Sequence, residues 1–342
     1  MKDIKMAEWK PETKIFLPNT YEEWKARIKY IKDVIRDVFI TYNLIDEVEE
    51  DKEVNTVKLD FYLPKYKLGV KINDLITRNS SKSFWDLGCI TGNTPFEEWK
   101  KTNELGIRVI NAYEHEIFNE KKWPIFKNMI TYHCGLAKRI FARNTKVVIV
   151  EKSSKLKPLF VANNIQGYRS SRTGFLLVDK KTEEPLMCYT VGHAFFGKGA
   201  YDAEIARGCC ITNYHDSGLG VQVIGGASKL WKAILNYYED KNIDNTPGQI
   251  KSIIYYTDSR YYDGKSIGHL MDSNTLEGRV ETLRECPGFM NYWVDEGLLK
   301  NREPMRHAEI MYNMKIGKIL VIPNPGVVSH CYFRYNDTLV GL

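Results

Sequence analysis

Three places in this 342-residue chain bring together side chains that could do chemistry. The run Ser252-Ile-Ile-Tyr-Tyr-Thr-Asp258 is an apolar strand ending in an acid, and Arg260, Tyr261, Tyr262 and Lys265 follow at once. A strand that delivers an acid, bases and phenols to one end suits a proton relay or an acceptor site for group transfer. Asp258 could equally cap its strand, with the tyrosines packing at a rim. The second place is Gln222-Val-Ile-Gly-Gly-Ala-Ser-Lys229, where a strand meets glycines before a helix. Exposed backbone N–H groups at such a turn can cradle a phosphate or pyrophosphate, although many turns of this kind only connect elements. The third is Asp60 within the alternating run Val57-Lys-Leu-Asp-Phe-Tyr-Leu63. A lone carboxylate on a strand more often faces solvent than binds metal, so its hairpin context has to carry any functional reading. His115, between Glu114 and Glu116, reads as a metal ligand or, with twice the weight, as a solvated strand end. The remaining histidines lack ligand spacing.

The elements that would position these groups follow from periodicity. Thr20 is placed to cap a helix in which Trp24, Ile28, Ile31, Ile35 and Val38 recur on one face, with Glu23 at the capping-box position. An acidic turn over 46–53 leads to two strands, 57–63 and 68–73, joined by Pro64-Lys-Tyr-Lys67. A Ser/Gly/Asn-rich loop over 79–95, a helix over 97–104, a strand over 107–113 and a helix near 125–140 complete a first domain, 1–142. In the second, 143–342, strands are expected at 147–150, 174–178, 185–191, 201–211, 252–257, 319–322 and 328–333. The face Ala227, Leu230, Trp231, Ile234, Leu235 and Tyr238 predicts a helix after the glycine turn.

Lys+Arg 49 against Asp+Glu 43 leaves a formal charge of +6, and the pI is about 8.7. That balance suits a polyanionic partner without requiring one. Seven scattered cysteines with no Cys-x-x-Cys spacing indicate neither a disulfide framework nor a zinc ribbon, and fit a reducing compartment. Cys209 and Cys210, on an apolar strand, read as buried small residues. No apolar run reaches the roughly 20 residues of a membrane span and no signal segment precedes the first helix, so a soluble cytoplasmic protein is expected.

Two family resemblances sharpen these readings. Gln222-x-x-Gly225-x-Ala227 resembles the pyrophosphate-binding signature of the GNAT family of N-acetyltransferases. Glu204-Ile-Ala-Arg207, Val223-Ile-Gly-Gly-Ala227 and Tyr255-Tyr-Thr-Asp258 resemble the Mom DNA-modification proteins and the carboxy-terminal part of phage Hef-like homing endonucleases. The resemblance implies an acyl-CoA donor held by Gln222, Gly225, Gly226, Ala227, Ser228 and Lys229. It places Arg207, Asp258 and Tyr261 or Tyr262 around an acceptor base, with Glu204 a possible strand partner of Arg207. In the first domain, Lys58-Leu-Asp-Phe-Tyr-Leu-Pro64, Leu68-Gly-Val-Lys-Ile-Asn-Asp74 and Thr77-Arg-Asn-Ser80 resemble the hairpin of Vsr-like nucleases of the PD-(D/E)XK type. That likeness implies Asp60 as a Mg²⁺ ligand. Lys71 stands where such nucleases carry a second carboxylate, and Arg78 where they carry a histidine. Both exchanges remove groups that metal-assisted hydrolysis uses and add positive charge where a phosphodiester would lie.

The expected fold is therefore α/β: a Vsr-like α/β/α nuclease-fold domain followed by a mixed-sheet GNAT domain. Double-stranded DNA is the expected partner, contacted by Arg78, Lys100, Lys101, Arg169 and Arg172; the loop Gly167-Tyr-Arg-Ser-Ser-Arg-Thr-Gly174 is the more apt of the basic segments. Three functions follow: a phage-encoded homing-endonuclease relative that binds DNA and nicks it through Asp60; a Mom-type acyltransferase acting on DNA bases in the bacterial host; or a silent DNA- or partner-binding protein. Asp60, Lys71, Arg78, Asp258, Arg207, Tyr261 and Tyr262 are the candidate catalytic set.

Overall fold

The computed structural model describes residues 10, 12, 15–78, 94–194, 201–240, 251–259, 278–295, 298–300 and 319–334. Helices and mixed sheets alternate along them, an α/β architecture. The chain divides into two compact units, one of 1–134, 258–263 and 286–327, the other of 135–257, 264–285 and 328–342.

In the first unit a short strand β1 (Ile15–Phe16) precedes helix α1 (Tyr21–Thr41). Thr20 caps α1, its Oγ1 accepting from the Glu23 N–H at 3.1 Å, while Glu23 accepts from the Asn19 N–H at 2.7 Å. The first bond satisfies a donor that the first turn otherwise leaves to water, and the second ties the chain before the cap back to the helix. Ile31, Val34, Ile35, Val38 and Phe39 form its buried stripe, and Phe39 meets Phe61 edge-on at 5.3 Å. Next come β2 (Glu49–Val54), β3 (Val57–Leu63) and β4 (Leu68–Asn73), all antiparallel neighbours. The segment expected to be an acidic turn is thus mostly an edge strand, exposed on both faces except at half-buried Val54. Lys67, in the left-handed region at φ 48°, ends the 3₁₀ turn Pro64–Tyr66 and starts β4. Helix α2 (Thr94–Glu104) then leads to β5 (Arg108–Tyr113), which pairs parallel with β4. With neighbours on both sides, β4 is buried at all six positions, and only a side chain as small as that of Gly69 clears Leu59. The short α3 (Glu114–Ile117) and α4 (Trp123–His133) follow.

The second unit starts with β6 (Lys138–Phe141), where a continuous helix to 140 is expected from sequence; Gly135, at φ 76°, ends the helical run. Strand β7 (Thr145–Val150), helix α5 (Lys157–Asn163), β8 (Thr173–Asp179), β9 (Pro185–Gly192) and β10 (Ala203–Cys210) come next. Then β11 (Val221–Ile224) pairs parallel with β6 and runs into α6 (Gly226–Asp240), and β12 (Ser252–Asp258) pairs parallel with β10. The sheet order is β7-β8-β9-β10-β12. One face packs Leu230, Trp231, Ile234, Leu235 and Tyr238 of α6 against Phe175, Leu177, Val191 and Ile253. The other packs Leu156 and Phe160 against Cys188 and, at its margin, Leu176 and Cys209. Three further strands follow in the chain, β13 (Gly278–Asp295), β14 (Leu298–Lys300) and β15 (Ile319–Arg334), of which the stretch 286–327 belongs to the first unit; β14 pairs antiparallel with β13 and with β1. Among the described residues no helix is long and apolar enough to cross a membrane.

Candidate functional site

Asp60 sits where β3 and β4 part. Their ladder ends at Phe61↔Val70, and beyond it the Asp60 Oδ2 takes the Ile72 N–H at 2.7 Å. A side-chain carboxylate thus substitutes for a missing rung. The other oxygen faces the Lys32 ammonium at 3.4 Å, and Lys32 also pairs with Asp51 of β2. Burial raises the Asp60 pKa above the ordinary aspartate value; the Ile72 N–H and Lys32 only partly offset it.

Lys71, on the buried central strand, extends to Glu98 of α2 at 2.7 Å, and Glu98 also contacts Arg78 at 3.3 Å. The Lys71 side chain is only 4% exposed. Burial, aided by Arg78, pulls its pKa down to about 8 against the opposing pull of Glu98 and Asp60. Burial pushes Glu98 upward, but Arg78 and Lys71 outweigh it and hold the carboxyl below the ordinary range. The cleft beside Lys71, lined also by Glu98, Trp99 and Asn111, has a volume of about 10 Å³. That is room for about one water.

A Mg²⁺ ion needs several oxygen donors converging on one point. Asp60 offers carboxylate oxygens already engaged by an amide and an ammonium, Lys71 adds a second ammonium, and no group of three or more His, Cys, Asp or Glu able to hold a metal occurs among the described residues. These residues do not fit the divalent cation expected at Asp60. His115 is buried in α3 beside the Tyr113 ring, so it is not the solvated strand end expected from sequence.

A second polar group in this unit centres on Glu114, which the sequence marks only as a flank of His115. Glu114 is fully buried, paired to the Arg27 guanidinium and accepting from the Leu75 N–H at 3.1 Å. Burial outweighs Arg27 and lifts the Glu114 pKa to about 7. Asp74 accepts from Trp24 Nε1 at 3.1 Å and from the Ile76 and Thr77 N–H groups, folding the chain back after β4. Lys100 and Lys101 are exposed on α2, Lys100 lying over the Phe96 ring and Lys101 bonded to Thr56 Oγ1. Trp99 and Trp123 are core residues.

In the second unit Gly225, at φ 75°, turns β11 into α6, and a Cβ on Gly226 would lie 2.7 Å from Val223 Cγ1. The first helical bond runs from the Lys229 N–H to the Gly225 carbonyl, so the amides of Gly226, Ala227 and Ser228 precede the ladder. Gln222 pairs in register with Arg139 of β6. The Lys229 ammonium is turned away, bonded to the carbonyls of Ala142 and Thr145. A bulge between Ile205 and Arg207 redirects β10, and the Arg207 guanidinium donates to the Ala206 carbonyl at 2.8 Å. Buried Glu204 is paired to Arg169, which draws that arginine inward. Asp258 ends β12, half-buried; Tyr261 and Tyr262 lie outside the described residues. Cys209 lies opposite Cys188 with sulfurs 3.6 Å apart, and burial pushes the Cys210 thiol up to about 12, which suits neither as a nucleophile.

No protein-family model and no curated protein matches the chain.

Proposed function

We propose that the chain is a DNA-acting protein, related to phage homing endonucleases, whose first unit grips double-stranded DNA without a metal-dependent cutting centre. The observation that carries this reading is the Lys71–Glu98–Arg78 cluster. Two cations and one carboxylate stand beside an Asp60 already held by Ile72 and Lys32. The buried ammonium is too enclosed to touch a phosphodiester, so its part is to hold α2 against β4. The exposed Lys100 and Lys101 on that helix then meet the phosphates.

The test is plasmid DNA incubated with the protein and Mg²⁺ or Mn²⁺, beside Asp60→Ala and the Lys100→Ala/Lys101→Ala pair, read by gel. A salt-sensitive mobility shift without nicking, weakened in the double lysine variant, is expected. Nicking that disappears in Asp60→Ala would sink the proposal and make the chain an endonuclease.

A second reading, a Mom-type base-modifying transferase, is favoured by Gly225 and the open amides at the start of α6. Gln222, Gly225, Gly226, Ala227 and Ser228 would hold the pyrophosphate of an acyl-CoA, which would supply the activated acyl group; Lys229, spent on two carbonyls, would not. A thermal shift with acetyl-CoA that Gly225→Asp abolishes supports it, and no shift at millimolar donor rules it out.

A further inference from the structure

The loop 164–172 and the turn after β7 border an open surface pocket of about 450 Å³, within the size range of small-molecule sites. Every residue of its wall carries a polar group, although much of the surface it presents is apolar. Lys152 and Arg172 bring positive charge, and Ser154, Ser170 and Ser171 bring hydroxyls. The acid in the lining, Glu151, accepts from the Tyr237 hydroxyl at 2.9 Å.

The floor is fixed by hydrogen bonds. Ser153, 1% exposed, has its Oγ within 3.0 Å of both the Tyr168 hydroxyl and Ser171 Oγ, and donates to the Ser171 carbonyl. Its N–H donates to the Arg172 carbonyl at 2.9 Å, and the Arg172 N–H donates to Val191 of β9 at 3.1 Å. The loop is therefore held on both sides before any ligand arrives, which lowers the ordering cost of binding. A guanidinium, an ammonium and several hydroxyls on a fixed floor match the oxygens of a phosphate, and the half-buried Tyr168 ring, packed on Phe160, is the aromatic group at the same wall.

We propose that this cavity binds a nucleoside 5′-phosphate, with Arg172 and Lys152 on the phosphate, Ser154 and Ser170 on its remaining oxygens or the sugar, and Tyr168 against the base. The chemistry is shared by a free mononucleotide and by the phosphorylated 5′ end of a DNA strand. The site lies wholly in the second unit and stands whether or not the first unit binds DNA.

Isothermal titration of the full chain tests it, using deoxythymidine 5′-monophosphate, deoxythymidine, and a ten-nucleotide strand with either a 5′-phosphate or a 5′-hydroxyl. The monophosphate is expected to bind at least ten-fold more tightly than the nucleoside. Lys152→Ala and Arg172→Ala, both at exposed positions, should each weaken it about ten-fold, with Arg172→Lys in between. Lys155→Ala, exposed but outside the cavity, should leave it unchanged. Competition by the 5′-phosphorylated strand identifies a strand-end site, and binding by the mononucleotide without such competition identifies a free-nucleotide site; both support the proposal. Equal affinity for nucleoside and monophosphate, no saturable binding of either, or equal losses in Lys155→Ala and Arg172→Ala would overturn it.

Discussion

At the residue scale the first unit places charge where solvent is scarce, and the cost is legible in two titrations. Lys71, its pKa lowered to about 8, favours its neutral form on folding. Its contribution to stability is present above pH 10.5 and is lost as pH falls through about 8. Direct ¹⁵N NMR of the lysine Nζ should find one midpoint near 8, and Glu98→Gln should move it lower still, because the carboxylate opposes the shift. A midpoint near 10.5 would mean that Lys71 is solvated. Glu114 runs the other way: raised from 4.5 to about 7, it stabilises the fold below pH 4.5 and that contribution fades as pH rises through about 7. The difference is on the order of 3 kcal/mol. Urea unfolding from pH 4.5 to 8 should show the decline in the parent chain and a flatter profile in Glu114→Gln. Lys71 stands out in the sequence by its place in the hairpin, but its burial and its partner Glu98 do not, and Glu114 appears there only as a flank of His115. Glu98 lies in Phe-Glu-Glu-Trp, where an acid on an amphipathic helix reads as solvated, and only the lysine rising from β4 explains its burial.

At the scale of elements, the seam between β3 and β4 depends on one carboxylate. Asp60→Ala removes the acceptor for the Ile72 N–H and leaves Lys32 with Asp51, a loss of about 1–3 kcal/mol. Asp60→Asn keeps an acceptor oxygen and should lose less; chemical denaturation compares them, and equal losses would mean that the hydrogen bond is unimportant. The hairpin itself was readable, since Val57, Leu59, Phe61 and Leu63 alternate inward and Pro64-Lys-Tyr-Lys67 supplies the turn. The capped α1 and the apolar face of α6 were readable for the same reason, a clear period. Strand β2 was not, because Glu-Glu-Asp-Lys-Glu buries nothing and pairs only through its backbone. The four residues of β6 were hidden by Ile140, which continues the helical spacing of α4 across Gly135. The loop 167–174 was readable as basic and hydroxyl-rich, but the pocket it borders depends on the distant turn at Ser153 and on α6.

For the whole molecule, the net charge of +6 sets the test of DNA binding. Affinity should fall steeply with salt, and removing one phosphate-contacting lysine should reduce the slope of log K against log[salt] by about 1. Lys100→Ala and Lys101→Ala, measured separately by fluorescence anisotropy between 50 and 200 mM salt, on the order of the range where such slopes are read, should each show it; an unchanged slope in both would remove α2 from the interface. The division into units has a different implication. Residues 286–327 belong with 1–134, and β1 near the amino terminus pairs with β14 at 298–300. On a ribosome, β1 is therefore made long before its partner β14 emerges, whereas β2 to β5 pair with one another within 49–113. The run from β7 to β12 likewise lies within one stretch of chain, so its strands can pair with one another as they emerge. Residues 286–327 complete the first unit later, and a chain stopped after 285 would lack the partner of β1.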